Sequence, residues 1–322
     1  MHSTRNRTAA FIMVSALAVT AFVTSSAGAG VSQLPKCLDE TPTIVGTPGD
    51  DFLVGTREDD VIVGLEGNDV IEGIGGIDLI CGNEGNDQID GGPSIDALDG
   101  GPGDDTLAGS ESDDFGEEDP DFAVYVYATA PVQVSLVTGT AAGDGNDTLV
   151  DIEGVFGSDF GDTIEGDVAA NYIYSGPGDD TISAGAGSDL IDGEDGNDTI
   201  DGGPRDDMVS YRYAPGPVVL DLAAGTARGV GDDTLTGVED VLGSQYADRL
   251  TGDGGANWIW GQGGADVISG AGGPDVLFGE KGNDVVNGGA GPDKLNGGPG
   301  RDRLNGGPGR DRCTGEKKRS CP

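Results

Sequence analysis

Aspartate returns in this chain at intervals of nine residues, and carboxylates spaced so evenly are the side chains to hold a hard cation. Asp51, Asp60, Asp69, Asp78, Asp87, Asp96 and Asp105 follow one another without a slip, and Asp114 extends the series. A second block carries Asp162, Asn171, Asp180, Asp189, Asp198 and Asp207. A third carries Asp248, Asn257, Asp266, Asp275, Asp284, Asp293, Asp302 and Asp311. The candidate metal ligands are Asp51, Asp60, Asp69, Asp78, Asp87, Asp96 and Asp105, then Asp180, Asp189, Asp198 and Asp207, then Asp266, Asp275, Asp284, Asp293 and Asp302. Calcium accepts six to eight oxygens in flexible geometry, main-chain carbonyls included, whereas magnesium demands tighter octahedra and gives up its water reluctantly.

Other chemistries are poorly supplied. The only histidine is His2, so imidazole is absent from the repeats, which argues against a catalytic triad, a histidine base or a zinc site. Paired carboxylates can hydrolyse glycosides, but here every pair is accounted for by the period. The formal net charge is −41, with 61 glycines and few aromatics. Such a polyanion repels nucleic acid and attracts cations.

The elements that must position these aspartates follow from the same period. A repeat of nine does not fit a helix, whose apolar stripe recurs at 3.6. Two places after each aspartate of the first block stands an aliphatic: Leu53, Ile62, Ile71, Ile80, Ile89, Leu98 and Leu107, before the pattern decays at Gly116. Glycines permit a tight turn with carbonyls aimed inward, the aspartate sits at its rim, and a three-residue strand buries its central aliphatic. Two units make one coil of about eighteen residues, so Asp69 and Asp87 lie on adjacent coils with an oxygen-lined gap between them. Two aliphatics per coil cannot offset the entropy of ordering so many glycine-rich residues. A divalent cation reverses that balance, and binding and folding are then one event.

The unit G-G-x-G-x-D-x-U-x, with U a large aliphatic, resembles the RTX or hemolysin-type calcium-binding nonapeptide repeat. Stretches such as "GGAGPDKLNGGPGRDRLNGG", residues 288–307, fit at nearly every position, and the likeness covers most of residues 46–314. The resemblance implies an all-β parallel β-roll, a β-solenoid of stacked Gly/Asp-rich turns, binding several Ca2+ ions. On the order of ten ions would cancel roughly half the charge. In that family the repeats often follow an enzyme or toxin domain. Here repeats fill most of the chain, and an N-terminal leader takes the place of the family's usual C-terminal secretion signal.

Residues 1–29 read as that signal peptide: Arg5 and Arg7, an apolar run from Phe11 to Val23, then Ala27-Gly28-Ala29. No other segment suggests a membrane span. Removing the leader leaves a charge of roughly −43. Cys37, Cys81, Cys313 and Cys321 then lie in an oxidising compartment that favours disulfides. Local pairing would staple the two ends of the array, although three pairings are possible.

The chain divides into an N-terminal cap at 30–45, repeat blocks at 46–117, 157–210 and 243–314, inserts at 118–156 and 211–242, and a basic tail at 315–322. The inserts are related: residues 134–158 match residues 220–244 without a gap at an offset of 86, which carries Asn171 onto Asn257. Alternation at Val132, Val134 and Leu136 predicts strands there, either as metal-poor coils of the solenoid or as a small protruding β lobe. The inserts are too short for a catalytic domain, so no enzymatic activity is expected. Tyr172, Tyr174, Trp258 and Trp260 should point away from the core. They are expected to pack beneath the inserts, with Tyr125, Tyr127, Tyr211 and Tyr213, or else to form a stacking surface for sugar. Arg301, Arg303, Arg310 and Arg312 bracket Asp302 and Asp311, where they should compete with calcium. The function expected is that of a secreted, extracellular calcium-binding protein with a structural, surface or matrix role. The alternatives are an adhesin or carbohydrate-binding module whose partner is a cell-surface glycan or matrix and, less well supported, a secreted hydrolase.

Overall fold

The computed structural model describes residues 37, 38, 40–110, 119–315, 317–319 and 321. The expected leader, most of the N-terminal cap and Asp114 lie outside them. Within them the chain is an all-β parallel solenoid with no helix, and so none long and apolar enough to cross a membrane. Strands from alternate nonads fall into two sheets, one of 14 strands and one of 18. Register is offset by one coil throughout: Ile62 pairs with Ile80 and Ile80 with Leu98 in the first sheet, Ile71 with Ile89 and Ile89 with Leu107 in the second. Ile62, Ile71, Ile80, Ile89, Leu98 and Leu107 are fully buried, and the corresponding aliphatics of later blocks extend one continuous core between the sheets.

The inserts belong to the solenoid. In the first, Gln133–Ser135, Thr140–Ala142 and Asn146–Val150 run antiparallel to one another inside the second sheet. Their outer members pair in parallel with Thr163–Glu165 on one side and Thr106–Ala108 on the other. The chain leaps forward, switches back twice, and rejoins the stack. Gly139 closes the first reversal in the left-handed region, at φ 63°. The second insert repeats this with Val219–Asp221, Thr226–Arg228 and Asp232–Thr236. Two added strands per insert account for the greater length of the second sheet. Val132, Val134, Ala141 and Leu149 face the same core as the isoleucines. A protruding lobe is therefore not formed.

The first sheet also carries an apolar layer on its outer face, around the Cys37–Cys81 disulfide. Tyr172 and Tyr174 belong to it, buried with Phe122 and Phe156 of the insert region; the Phe156 and Tyr174 rings stack at 4.9 Å. Tyr125 and Tyr211 turn inward to the main core, while Tyr127 and Tyr213 are exposed, with the Arg212 guanidinium over the Tyr213 ring. Trp258 and Trp260 are half-buried, with Trp260 stacked on Phe278 at 5.6 Å. Cys313 pairs with Cys321, so both disulfides are local.

Because the core is a column of single residues, truncation leaves a hole that neighbours cannot fill. Ile80→Ala should destabilise the calcium-loaded protein by about 2–5 kcal/mol, read as a shift of the urea midpoint. A change below about 1 kcal/mol would mean that the column relaxes freely.

Candidate metal centres

The aspartates do form rows, but the link between coils differs from a pair of facing carboxylates. The amide of Asp69 donates to Oδ1 of Asp87 at 2.7 Å, and that of Asp87 to Oδ1 of Asp105 at 2.8 Å. The other side of the roll has the same bonds from Asp60 to Asp78 and Asp78 to Asp96, both 2.8 Å. In the third block Asp266, Asp284 and Asp302 continue the pattern at 2.9 and 3.1 Å. One oxygen of each carboxylate is thus used by the backbone of the preceding coil. Only the second is available to a ligand.

That second oxygen has no protein partner in most rungs. Oδ2 of Asp69, Asp78, Asp87, Asp96, Asp105, Asp180, Asp189, Asp198, Asp207, Asp266, Asp275, Asp284, Asp293, Asp302 and Asp311 is buried without a hydrogen bond. At Asp180 the Ser175 hydroxyl is near enough to oppose the carboxyl's rise in pKa, yet its hydrogen bond goes to the Gly193 carbonyl at 3.3 Å. Most of these free oxygens look into a cradle kept open by the first glycine of the unit, although Ser175 and Ala184 take that place before Asp180 and Asp189. A Cβ built on Gly279 would lie 2.5 Å from Asp284 Oδ2 and 2.8 Å from the Gly297 carbonyl oxygen. Carboxylate and carbonyl oxygens therefore converge where a side chain would otherwise sit. Among the described residues no three His, Cys, Asp or Glu side chains come together. A cation here would take isolated carboxylates and depend on main-chain oxygen for the rest, a donor set suited to calcium.

Asp51 and Asp60, by contrast, are already satisfied. Thr47 donates its amide and hydroxyl to Asp51 Oδ2 at 2.5 and 2.9 Å, and Thr56 does the same to Asp60 at 2.7 and 2.9 Å. Ser158 caps Asp162 and Ser244 caps Asp248 in like manner. Asn171 and Asn257 accept from the amides of Asp167 and Asp253, and their Nδ2 groups donate to the carbonyls of Glu153 and Glu239. An amide both gives and accepts hydrogen bonds, so these rungs need no cation. Each block opens with two rungs of this kind.

The first two blocks also close with rungs supplied by the inserts. Asp105 donates its amide to Asp147 Oδ1, and the Tyr125 hydroxyl donates to Asp147 Oδ2 at 3.1 Å. In the second copy Asp198 meets Asp233, whose Oδ2 accepts from Tyr211 at 2.8 Å. On the other side Glu153 and Glu239 accept the amides of Asp121 and Asp207. The sequence reading missed the capping Thr and Ser residues, these tyrosines and glutamates, and a ladder through Asp50, Asn68, Asn86 and Asp104. The offset of 86 could have signalled the insert pairs, since it carries Tyr125, Asp147 and Glu153 onto Tyr211, Asp233 and Glu239.

At the C-terminal end the arginines make no hydrogen bond to the free aspartate oxygens. Arg301, Arg303, Arg310 and Arg312 are exposed, whereas Asp302 and Asp311 are buried with Oδ2 unpartnered like the others. Alternation along the strand turns the arginines away from the turn.

Electrostatics differ between Asp60 and the rungs that follow it. Asp60 is pushed up by burial, but hydrogen bonds from Thr43 and Thr56 outweigh this and leave it below the usual carboxylate value. One coil on, burial raises Asp78 to about 6 against the pull of the Asp60 amide. Burial likewise raises Asp87 to about 6, Asp266 and Asp275 to about 7, and Asp96 to about 9, with neighbouring carboxylates adding to the rise.

Six stretches match the RTX calcium-binding nonapeptide repeat: residues 45–80, 82–115, 156–191, 174–209, 242–277 and 278–313. The chain belongs to that family. The matches span more than half of it, and the segments they omit between blocks contain the switchback strands. No curated protein matches the chain.

The raised carboxyls set a sign for pH. The metal-free roll holds protons that the unfolded chain releases, so this stabilisation is full below about pH 4 and is lost as pH rises through about 6–9. In chelator, β structure should be more resistant to urea at about pH 5 than at about pH 8. In excess calcium the trend should reverse, because only ionised carboxylates bind the ion. A metal-free roll that gains stability toward alkaline pH would contradict the assignment.

Proposed function

We propose that the protein is an exported calcium-binding roll whose folding is coupled to ion uptake and which serves a structural, surface or matrix role. The fifteen buried carboxylate oxygens without a protein partner carry this reading. Leaving so many charges buried and unpaired would be prohibitive in an ordinary fold. The ligands assigned are the aspartates of those fifteen oxygens, which include Asp311 and leave out Asp51 and Asp60. Occupancy on the order of ten ions offsets about half of the net charge. Export is supported by the leader pattern of residues 1–29 and by two cystines in a chain with no free cysteine among its described residues.

Asparagine substitution tests the assignment rung by rung. Asp284→Asn keeps an oxygen for the Asp266 amide but removes the charge, and should lower both the calcium count and the calcium sensitivity of folding. Asp60→Asn should leave both unchanged, as Asn171 and Asn257 occupy such capped rungs naturally. Calorimetric titration of chelated protein, followed by circular dichroism, measures both. Equal losses from the two variants, or a full β spectrum in chelator at neutral pH, would defeat the proposal.

A glycan-binding role keeps only part of its basis. Tyr172 and Tyr174 are buried, so a stacking surface would rest on half-buried Trp258 and Trp260. The Trp260–Phe278 stack favours packing. Tryptophan fluorescence of the calcium-loaded protein should therefore be unquenched by cell-wall polysaccharide, and saturable quenching would revive the adhesin reading.

A further inference from the structure

Where the first repeat block meets the first insert, the outer side of the roll has a cavity of about 350 Å3. It is lined by Asp99, Asp144, Asn83, Tyr127, Cys81 and the Gly101–Pro102 turn. Asp99 is not one of the nine-residue series. It ends the strand Ala97–Asp99 and is only 7% exposed. Its Oδ1 accepts the Gly101 amide at 3.1 Å. The atom nearest to serving as a donor for Oδ2 is Cys81 Sγ at 3.9 Å, but that sulfur is in a disulfide with Cys37 and carries no proton. Asp99 therefore buries a carboxylate oxygen with no donor, beside a second acid contributed by the insert.

The duplicated half of the chain supplies a control. Asp192 is the counterpart of Asp99: each is the last residue of its strand, six places before the aspartate that meets the insert at Asp147 or Asp233. Asp192 is as deeply buried, yet its Oδ2 accepts the Ser210 hydroxyl at 2.9 Å and its Oδ1 the Glu194 amide at 3.2 Å. At the offset of 86, Ser210 corresponds to Val124 and Val230 to Asp144. The second copy has the hydroxyl, and the acid nearest Asp192 is Glu194 of its own turn, with none from the insert at Val230. The first copy has Gly101 and Val124 at those two places, and its second acid, Asp144, comes from the insert across the cavity.

We infer that Asp99 and Asp144 hold a further calcium ion in this cavity, outside the nonapeptide rows, with the Asn83 side chain and Tyr127 beside it. Two carboxylates with amide and hydroxyl oxygen beside them offer a hard, oxygen-rich donor set. Burial and the charge of Asp144 push Asp99 up to about 7, a rise that a bound cation would cancel. The inference takes calcium from the proposed function but uses none of the row residues, so the two can fail separately.

The test exchanges the solutions of the two copies in the full mature chain. Calcium bound per chain is counted by equilibrium dialysis against calcium chloride, and crystals of the loaded protein are examined for anomalous scattering in the cavity. Asp144→Val should lose one ion and the cavity peak while keeping the calcium-driven β transition. Adding Val124→Ser should restore thermal stability without restoring the ion. The converse variant, Ser210→Val with Val230→Asp, should gain one ion. An unchanged count and no cavity peak in the wild type overturn the inference, and so does a converse variant that folds but gains nothing. Absence of any calcium-driven transition in the wild type would instead sink the proposed function.

Discussion

The fold depends on what becomes of one oxygen atom per rung. Stacking coils at β-sheet spacing brings each aspartate against the amide of the coil before it, which takes up Oδ1 and draws the carboxylate under cover. Oδ2 is then sealed from water and must find a partner. Where a threonine or tyrosine hydroxyl or a serine amide supplies one, the rung is complete in the protein alone. Where only a glycine cradle faces it, the proposed cation would complete the rung. Glycine at the first position, the converging carbonyls and the excess of negative charge all follow from this choice.

The inserts acquire meaning in the same terms. Their switchback strands preserve the hydrophobic column, so the core does not register an interruption. What they interrupt is the line of free oxygens. Tyr125 and Tyr211 occupy the oxygen that would otherwise be vacant, and Glu153 and Glu239 reach the amides on the other side. The polar rows are divided into three segments along a roll whose apolar interior is continuous.

Much of this was legible in the sequence because the period constrains side-chain direction so tightly. The aliphatic two places after each aspartate points inward at every rung of the first block beyond Leu53, and the eighteen-residue register follows from two units per coil. The division of labour between Oδ1 and Oδ2 was not legible, since it depends on where an amide of another coil arrives. The caps escaped notice because Thr47, Thr56, Ser158 and Ser244 occupy positions that vary freely elsewhere. Only three-dimensional proximity tells a capping hydroxyl from an ordinary polar residue. The arginines beside Asp302 misled for a related reason: sequence adjacency within a strand places neighbours on opposite faces.

Complete ends have a consequence for how such a chain changes over generations. A segment of 86 residues that starts and finishes on neutral, fully bonded rungs can be copied or deleted whole without exposing a raw ionic surface to its neighbours. Recombination between the two copies would shorten or lengthen the rod by a fixed step and leave every remaining joint intact. The molecule is, in that sense, divisible at its hydroxyl-sealed seams.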